Sequence, residues 1–282
     1  MHGGAYMSQD EYFKFVKALA IELNRKEIKL TSFPDVVMRV RNALDDPDTT
    51  GADLAKLLSV DPVLASRILV LANSTFYNPA GIKTDCLDTA IGRIGFQKVR
   101  STAISYAVEL LHDSEGREAL KKELKETWVR GLRLAALSEA MAQKCTKLDR
   151  DSAFIAGLLH RIGVLYLYNK YDEYPSLLQD ADARQGLIDE WTAPIGENIV
   201  ANWDFSDEIQ ATLNPGDDQG GRVGTPASLA DVIVAADAAL DGANGELTEM
   251  PEAKRMQLTD EMMPRVMELY EEKLESLMSA VR

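Results

Sequence analysis

The sequence has two cysteines, no long apolar run and no secretion signal, and each absence excludes a class of protein. Cys86 and Cys145 stand far apart with no CxxC spacing, which excludes a disulfide framework and a zinc ribbon. No apolar run approaches the roughly 20 residues that span a bilayer. The first residues also lack the basic-then-apolar order of a signal peptide. We therefore expect a cytoplasmic protein.

Basic residues are also in short supply. The chain has 31 Lys and Arg residues against 45 Asp and Glu residues, a formal net charge of −14. Such a balance repels nucleic acid phosphates and anionic membranes, so we expect neither as a partner. Hydrophobic residues make up 46% of the 282 residues, enough to bury a full core. The length suits one large helical domain or two lobes that share an interface.

The sequence contains a series of helix signals. The strand signal, a sustained alternation of apolar and polar residues, is nearly absent, so we predict an all-α fold. Thr50 with Asp53, and Asp61 before Pro62, have the pattern of capped helix starts. Gly95 predicts a break between two helices. Asp151 or Ser152 is expected to cap one long apolar helix with His160 in its central turn. Further helices are predicted over 185–203, interrupted by Pro194, and over 206–213, 226–240 and 259–280.

One apolar stretch carries a candidate site. Residues 153–167 read AFIAGLLHRIGVLYL, and a histidine at such a position is half of the His-Asp metal pair in one class of enzymes. Here the next residue is Arg161. The other histidines are His2 at the terminus and His112 well before any matching position, so the stretch offers one imidazole, too few for a catalytic metal.

Two segments resemble a known family. The first runs from Pro34 through the DPD and DPVL turns to LANS, with AIGRIGFQKVRSTAIS after it, and resembles the opening of an HDOD domain, the HD-related output domain of bacterial signalling proteins. The second, AFIAGLLHRIGVLYL, is similar to the segment where the wider HD phosphohydrolase superfamily places its metal pair. The resemblance covers about Lys29 to Leu240 and implies an N-terminal helical block packed on a degenerate HD-like lobe.

The resemblance also implies domain boundaries. An N-terminal helix would occupy residues 1–28 and the HDOD domain 29–240, divided into the helical block at 29–112 and the HD-like lobe at 113–240. An amphipathic C-terminal helix would occupy 241–282. Its stripe includes Met263, Val266 and Tyr270 and fits packing on its own domain, with a partner surface as the alternative.

Carried over residue by residue, the family's metal site has lost most of its ligands. The matching positions are Arg130 for the upstream histidine, His160 and Arg161 for the His-Asp pair, Asp237 for the downstream aspartate, with Asp231 as a weaker candidate, and Thr192 for an additional histidine. We hypothesise that Arg130 or Arg161 pairs with Asp237 in place of the metal. The alternative is that Arg161 faces solvent and His160 is a core histidine.

The resemblance implies a non-catalytic regulatory module, without metal or cofactor, that binds other signalling proteins; some relatives are linked to cyclic-dinucleotide signalling. One alternative is a metal-dependent phosphohydrolase. Another is a sensor that holds a phosphate or nucleotide with Arg130 and Arg161. Asn73, Ser74 and Tyr77 form a candidate interaction surface, with local capping as the alternative role. A homodimer is compatible with the sequence.

Overall fold

The computed structural model describes residues 9–25, 28, 35–111, 118–171, 173–174, 180–203, 205–214, 225–242 and 246–281. None of the residues in these ranges lies in a β-strand. The all-α prediction is therefore confirmed.

The N-terminal block is a group of short helices around one small core. After α1 (Gln9–Asn24) come α2 (Asp35–Asp45), α3 (Gly51–Leu58), α4 (Pro62–Ala72), α5 (Leu87–Ile94) and α6 (Phe96–Leu111). Side chains from α2 to α6 bury one another, among them Val40, Leu54, Ile68, Ile91 and Val99.

Local signals set the ends of these helices as the sequence predicts. Thr50 and Asp53 form a reciprocal capping box at the start of α3, and the Asp61 carboxylate accepts hydrogen bonds from the first turn of α4. Gly95 separates α5 from α6 with φ of 83°, a conformation that strongly favours glycine. Each signal acts within four residues, which is why sequence alone can identify it.

The second lobe is built on a long helix. A 3₁₀ turn (Glu118–Leu120) leads into α7 (Lys121–Cys145). The helices that follow are α8 (Arg150–Leu159), α9 (Ile162–Tyr171), α10 (Ala181–Asn202), α11 (Asp207–Gln210) and α12 (Leu229–Leu240). After α12 come a second 3₁₀ turn (Leu247–Glu249), α13 (Pro251–Arg255) and α14 (Met263–Val281). Helix α7 packs on α8, α12 and α14, and α9 packs on α10. Phe15 and Leu19 of α1 are buried in this same core.

Two predictions about this lobe are wrong. The apolar stretch is not one helix, because α8 ends at Leu159 and α9 begins at Ile162, with His160 and Arg161 in the turn. Pro194 does not interrupt α10, which continues through it. Its missing N–H affects the carbonyl of Glu190, an exposed residue, so water can bind that group. Burial of Leu187, Ile195 and Ile199 then holds the helix together.

The C-terminal helix packs on its own chain. Val266, Leu269, Tyr270 and Leu277 are buried, and α14 contacts both α7 of the second lobe and α4 of the N-terminal block. It therefore bridges the two cores. Over the described residues, no helix has both the length and the apolar content required to cross a membrane.

Candidate functional site

The turn between α8 and α9 carries the histidine that the sequence singles out. His160 closes α8 in an α-helical conformation, and its Nδ1 atom is buried without a hydrogen-bond partner among the described residues. Burial lowers the pKa of His160; Asp237 opposes that effect, whereas the positive charges of Arg161 and Arg130 reinforce it. The imidazole is therefore neutral at pH 7.

Arg130 of α7 reaches across to α12. Its Nη2 donates a hydrogen bond to Oδ1 of Asp237 at 2.6 Å, and its Nη1 donates to Oδ1 of Asp241 at 2.7 Å. The Arg130–Asp237 pair that the sequence analysis hypothesised is present. Asp241, one helical turn beyond Asp237, is the partner that sequence analysis missed. Since residues four apart share a helix face, that spacing allows one guanidinium to bind both carboxylates.

Arg161 lies within electrostatic range of the same group but makes a different contribution. It is partly buried, and its charge lowers the pKa of both His160 and Asp241. In the part of the chain that the structure describes, Arg161 makes no ion pair. Arg130, and not Arg161, is thus the cation that binds Asp237.

Thr192 and Asp231 have structural roles. The Thr192 hydroxyl donates to the carbonyl of Ile188 at 2.6 Å, and its backbone lies against Gly163 of α9. Asp231 completes a capping box with Ser228 at the start of α12 and accepts a hydrogen bond from Nε of Arg255 at 2.9 Å. These contacts account for the positions of both side chains without a ligand.

The residues of this site do not suit the catalytic metal that the HD superfamily implies. Such a metal needs several imidazole and carboxylate ligands. Among the described residues no three His, Cys, Asp or Glu side chains are placed to share an ion. The Asp237 carboxylate is bonded to a guanidinium, and a second guanidinium lies nearby. His112 lies outside the described residues.

The comparisons with known proteins agree with this picture of the fold. The model of the HDOD domain family matches residues 30–215, about two thirds of the chain. The chain belongs to the HDOD domain family. The match begins one residue after the predicted start at Lys29 and ends before Leu240.

Solved structures share the fold of this HDOD chain. A protein from Shewanella amazonensis named "Putative metal-dependent phosphohydrolase" superposes with a TM-score of 0.80 at 24% identity, covering 95% of this chain and 100% of that one. An HDOD domain protein of unknown function from Geobacter sulfurreducens gives a TM-score of 0.64 at 20% identity, covering 92% and 99%. A protein from Marinobacter aquaeolei named "Putative signal transduction protein" gives 0.61 at 18% identity, covering 99% and 68%. At these identities the likeness shows the fold.

One curated relative is an uncharacterised protein of Treponema pallidum, 25% identical over 199 residues. The match takes in 65% of this HDOD chain and 37% of the relative's length. The chain thus spans well under half of that larger protein.

The candidate interaction surface is largely occupied by contacts within the chain. The Asn73 amide donates to the Thr84 carbonyl at 2.7 Å and accepts from the Thr84 N–H at 2.9 Å, which closes the loop after α4. Ser74 bonds to the carbonyl of Leu71 and to Ser276 of α14. Burial raises the pKa of Tyr77, with Glu139 and Asp151 adding to the effect. These contacts favour the capping role, and recognition by these three residues stays a prediction.

A buried charged cluster is the feature that sequence analysis missed. Glu139 of α7 accepts hydrogen bonds from Lys98 of α6 and Lys273 of α14, and all three residues are buried. Lys98 and Glu139 each lie among small and apolar residues in the sequence, which is a signal of a buried charge. Buried charges are rarely unpaired, so each would be expected to have a partner. Lys98 and Lys273 lie 41 and 134 positions from Glu139, so their pairing could not be predicted from local sequence.

Proposed function

We propose that this HDOD chain is a non-catalytic signal-transduction module that acts by binding other proteins. The observation that carries the proposal is the bidentate contact of Arg130 with Asp237 and Asp241. A guanidinium is bonded where the superfamily's aspartate would coordinate a cation. This ion pair places a positive charge against both carboxylates, which opposes their binding of a metal cation.

Electrostatics favour this ion pair over a bound metal. Each unit of positive charge about 4 Å from a cation costs on the order of 4 kcal/mol per cation charge at an effective dielectric near 20. Arg161 adds a second positive charge beside His160. The two guanidinium groups therefore cancel the charge of Asp237 and Asp241, and the site has no net negative charge to hold a divalent ion beside its one imidazole.

The same contacts weigh against a phosphate held in this site. A phosphate would need the terminal nitrogens of Arg130, and those nitrogens already donate to two carboxylates. The two arginines and two aspartates together carry no net charge. An anion that bound Arg130 through these nitrogens would have to displace Asp237 or Asp241, and it would then lie close to the released carboxylate.

Metal content and hydrolysis test the non-catalytic half of the proposal. Protein purified without chelator should contain less than about a tenth of an equivalent of zinc, iron, manganese, nickel or magnesium, because too few ligands are available. Hydrolysis of bis(p-nitrophenyl) phosphate with added Mn²⁺ should equal that of the His160→Ala variant. A nearly stoichiometric transition metal that is lost in His160→Ala would instead support a phosphohydrolase.

The N-terminal block offers apolar side chains that support the protein-binding half. Val63 and Val70 are 50% and 40% exposed, and they lie seven residues apart on one face of α4, two helical turns from each other. Between them Arg67 binds Glu109 and stacks on Tyr106, which holds this face in place. Exposed apolar groups on a rigid helix are typical of protein contact surfaces.

Substitution on this face gives a matched test. We expect Val63→Asp with Val70→Asp to leave the fold intact and to abolish recovery of a protein partner that the wild-type chain retains from native host extract. Phe13→Asp on α1, where Phe13 is 68% exposed, is the control and should retain the partner. Quantitative mass spectrometry of the retained proteins makes the comparison. Partner recovery that is unchanged by the α4 substitutions would contradict a role for this face.

A further inference from the structure

A separate cavity lies on the second lobe. It is half open to solvent, has a volume of about 930 Å³ and is lined by the C-terminal end of α7, the segment before α12, and the region from the second 3₁₀ turn to Met262. Small-molecule sites commonly measure about 300–1,000 Å³, so this space can hold a ligand of nucleotide size. Arg130, His160 and Asp237 do not line it.

The cavity combines apolar walls with a positive charge. Its apolar walls include Leu148, Pro226, Met256 and Met262. The charged residues that line it are Lys144, Lys147, Lys254, Arg255 and Glu249. Among the described lining residues four cations thus face one carboxylate, and with Arg255 held by Asp231 and Glu252 the local excess of positive charge comes from Lys144 and Lys147, in a chain whose formal net charge is −14. This local reversal of sign favours an anion.

Two of these cations are already paired. Lys254 bonds to Glu249 at 2.8 Å, and Arg255 bonds to Asp231 and to Glu252. Lys144 and Lys147 are exposed, and neither makes an ion pair within the described ranges. These two lysines are therefore available to bind a charged group on a ligand.

Gln257 adds an observation independent of charge. It lines the cavity, and its φ of 58° is the one positive value of a non-glycine residue in the described part of the chain. It follows the C-cap of α13, and the N–H of Leu258 donates to the carbonyl of Ala253 at 2.9 Å. Glycine is the usual residue at this position of a helix end. The left-handed backbone of Gln257 thus ends α13 at the cavity and sets the position of this part of its wall.

We propose that this cavity binds a small organic anion of about nucleotide size. Its flat apolar body would lie against the methionine and proline side chains, and its charged group would bind Lys144 and Lys147. The site would allow a metabolite to influence the module. This inference does not depend on protein binding by α4 or on the state of the Arg130 region.

Two binding measurements test the proposal. Calorimetry measures the binding of ADP, and fluorescence measures the binding of anilinonaphthalene sulfonate, a second probe that carries an anionic group on an aromatic body. Wild-type protein should bind one molecule of either probe per chain. Lys144→Glu with Lys147→Glu should raise the Kd at least about tenfold, and the neutral pair Lys144→Gln with Lys147→Gln should raise it by a smaller factor. The control Lys83→Glu with Lys125→Glu changes two other exposed lysines and should leave the Kd unchanged.

Two results would overturn the proposal. One is the absence of binding of both probes at millimolar concentration. The other is an equal loss of affinity in the cavity variant and in the Lys83 and Lys125 control, since that would show a response to net charge alone. Inorganic phosphate added as a competitor should displace ADP only weakly, because it lacks the apolar body that the cavity walls contact.

Discussion

Glu139→Ala is expected to destabilise the fold by about 3–5 kcal/mol, because it removes the carboxylate partner of the buried Lys273 and leaves buried Lys98 with only Asp151, 3.9 Å away. Glu139 is 1% exposed. Its two oxygens accept hydrogen bonds from Lys98 at 3.1 Å, and Oε1 also accepts from Lys273 at 2.6 Å. The lysines come from α6 and α14, so the carboxylate joins the N-terminal block, the second lobe and the C-terminal helix.

The titration of Glu139 gives this prediction a pH dependence. Burial alone would raise the pKa of Glu139, but Lys98 and Lys273 outweigh that effect and lower it below the ordinary value of 4.5. A carboxyl whose folded-state pKa is depressed contributes stability above its unfolded pKa and loses it as pH falls through the folded pKa. Urea unfolding should therefore show a large difference between wild type and Glu139→Ala at pH 7, and the difference should narrow below about pH 4.

A fourfold substitution separates the ion network from simple loss of packing. Asp151 belongs to the network, because its carboxylate lies 3.9 Å from the Lys98 ammonium. Lys98→Met, Glu139→Leu, Asp151→Asn and Lys273→Met together remove all four charges and retain most of the volume. Buried ion networks replaced by uncharged groups of similar size are often neutral or more stable, so this variant should recover most of the stability that Glu139→Ala loses. A Glu139→Ala chain within about 1 kcal/mol of wild type, or a fourfold variant less stable than Glu139→Ala, would show that the cluster does not hold the helices together.

What the sequence could predict follows the range of the interactions involved. The starts of α3 and α4 depend on Thr50, Asp53 and Asp61, each of which bonds within three residues, and these predictions hold. The turn at His160 and the continuation of α10 through Pro194 depend on packing between distant segments. Local propensity favoured one unbroken helix in the first case and a break in the second, and tertiary contacts reversed both.

The candidate site follows the same division. Family likeness was enough to suggest Arg130 beside Asp237, because it aligns positions that lie 107 residues apart. The family likeness did not indicate that Asp241 also binds Arg130, because that contact depends on which face of α12 packs against α7. It also assigned Thr192 to a ligand position, whereas in the structure Thr192 lies in the contact between α9 and α10.

That contact leads to the second large effect, which is expected from Gly163→Ala. A Cβ atom added at Gly163 would lie 2.1 Å from the carbonyl oxygen of Thr192 and 2.9 Å from its carbonyl carbon. Both atoms belong to the backbone of a regular helix, so no side-chain rotation can relieve the overlap. Helices α9 and α10 would have to separate along buried apolar surface. We expect a loss of about 3 kcal/mol or more, at the upper end of overpacking substitutions.

Gly92→Ala provides the matched control for this substitution. Gly92 also lies inside a helix, α5, and a Cβ atom there would meet nothing within 4 Å. Alanine should therefore stabilise the chain by about 0.5–1 kcal/mol through the higher helix propensity of alanine and the smaller entropy of the unfolded chain. Thermal unfolding should give a melting temperature below that of the wild type for Gly163→Ala and above it for Gly92→Ala. A Gly163→Ala chain that melts at the wild-type temperature would show that α9 and α10 are not in close contact at this point.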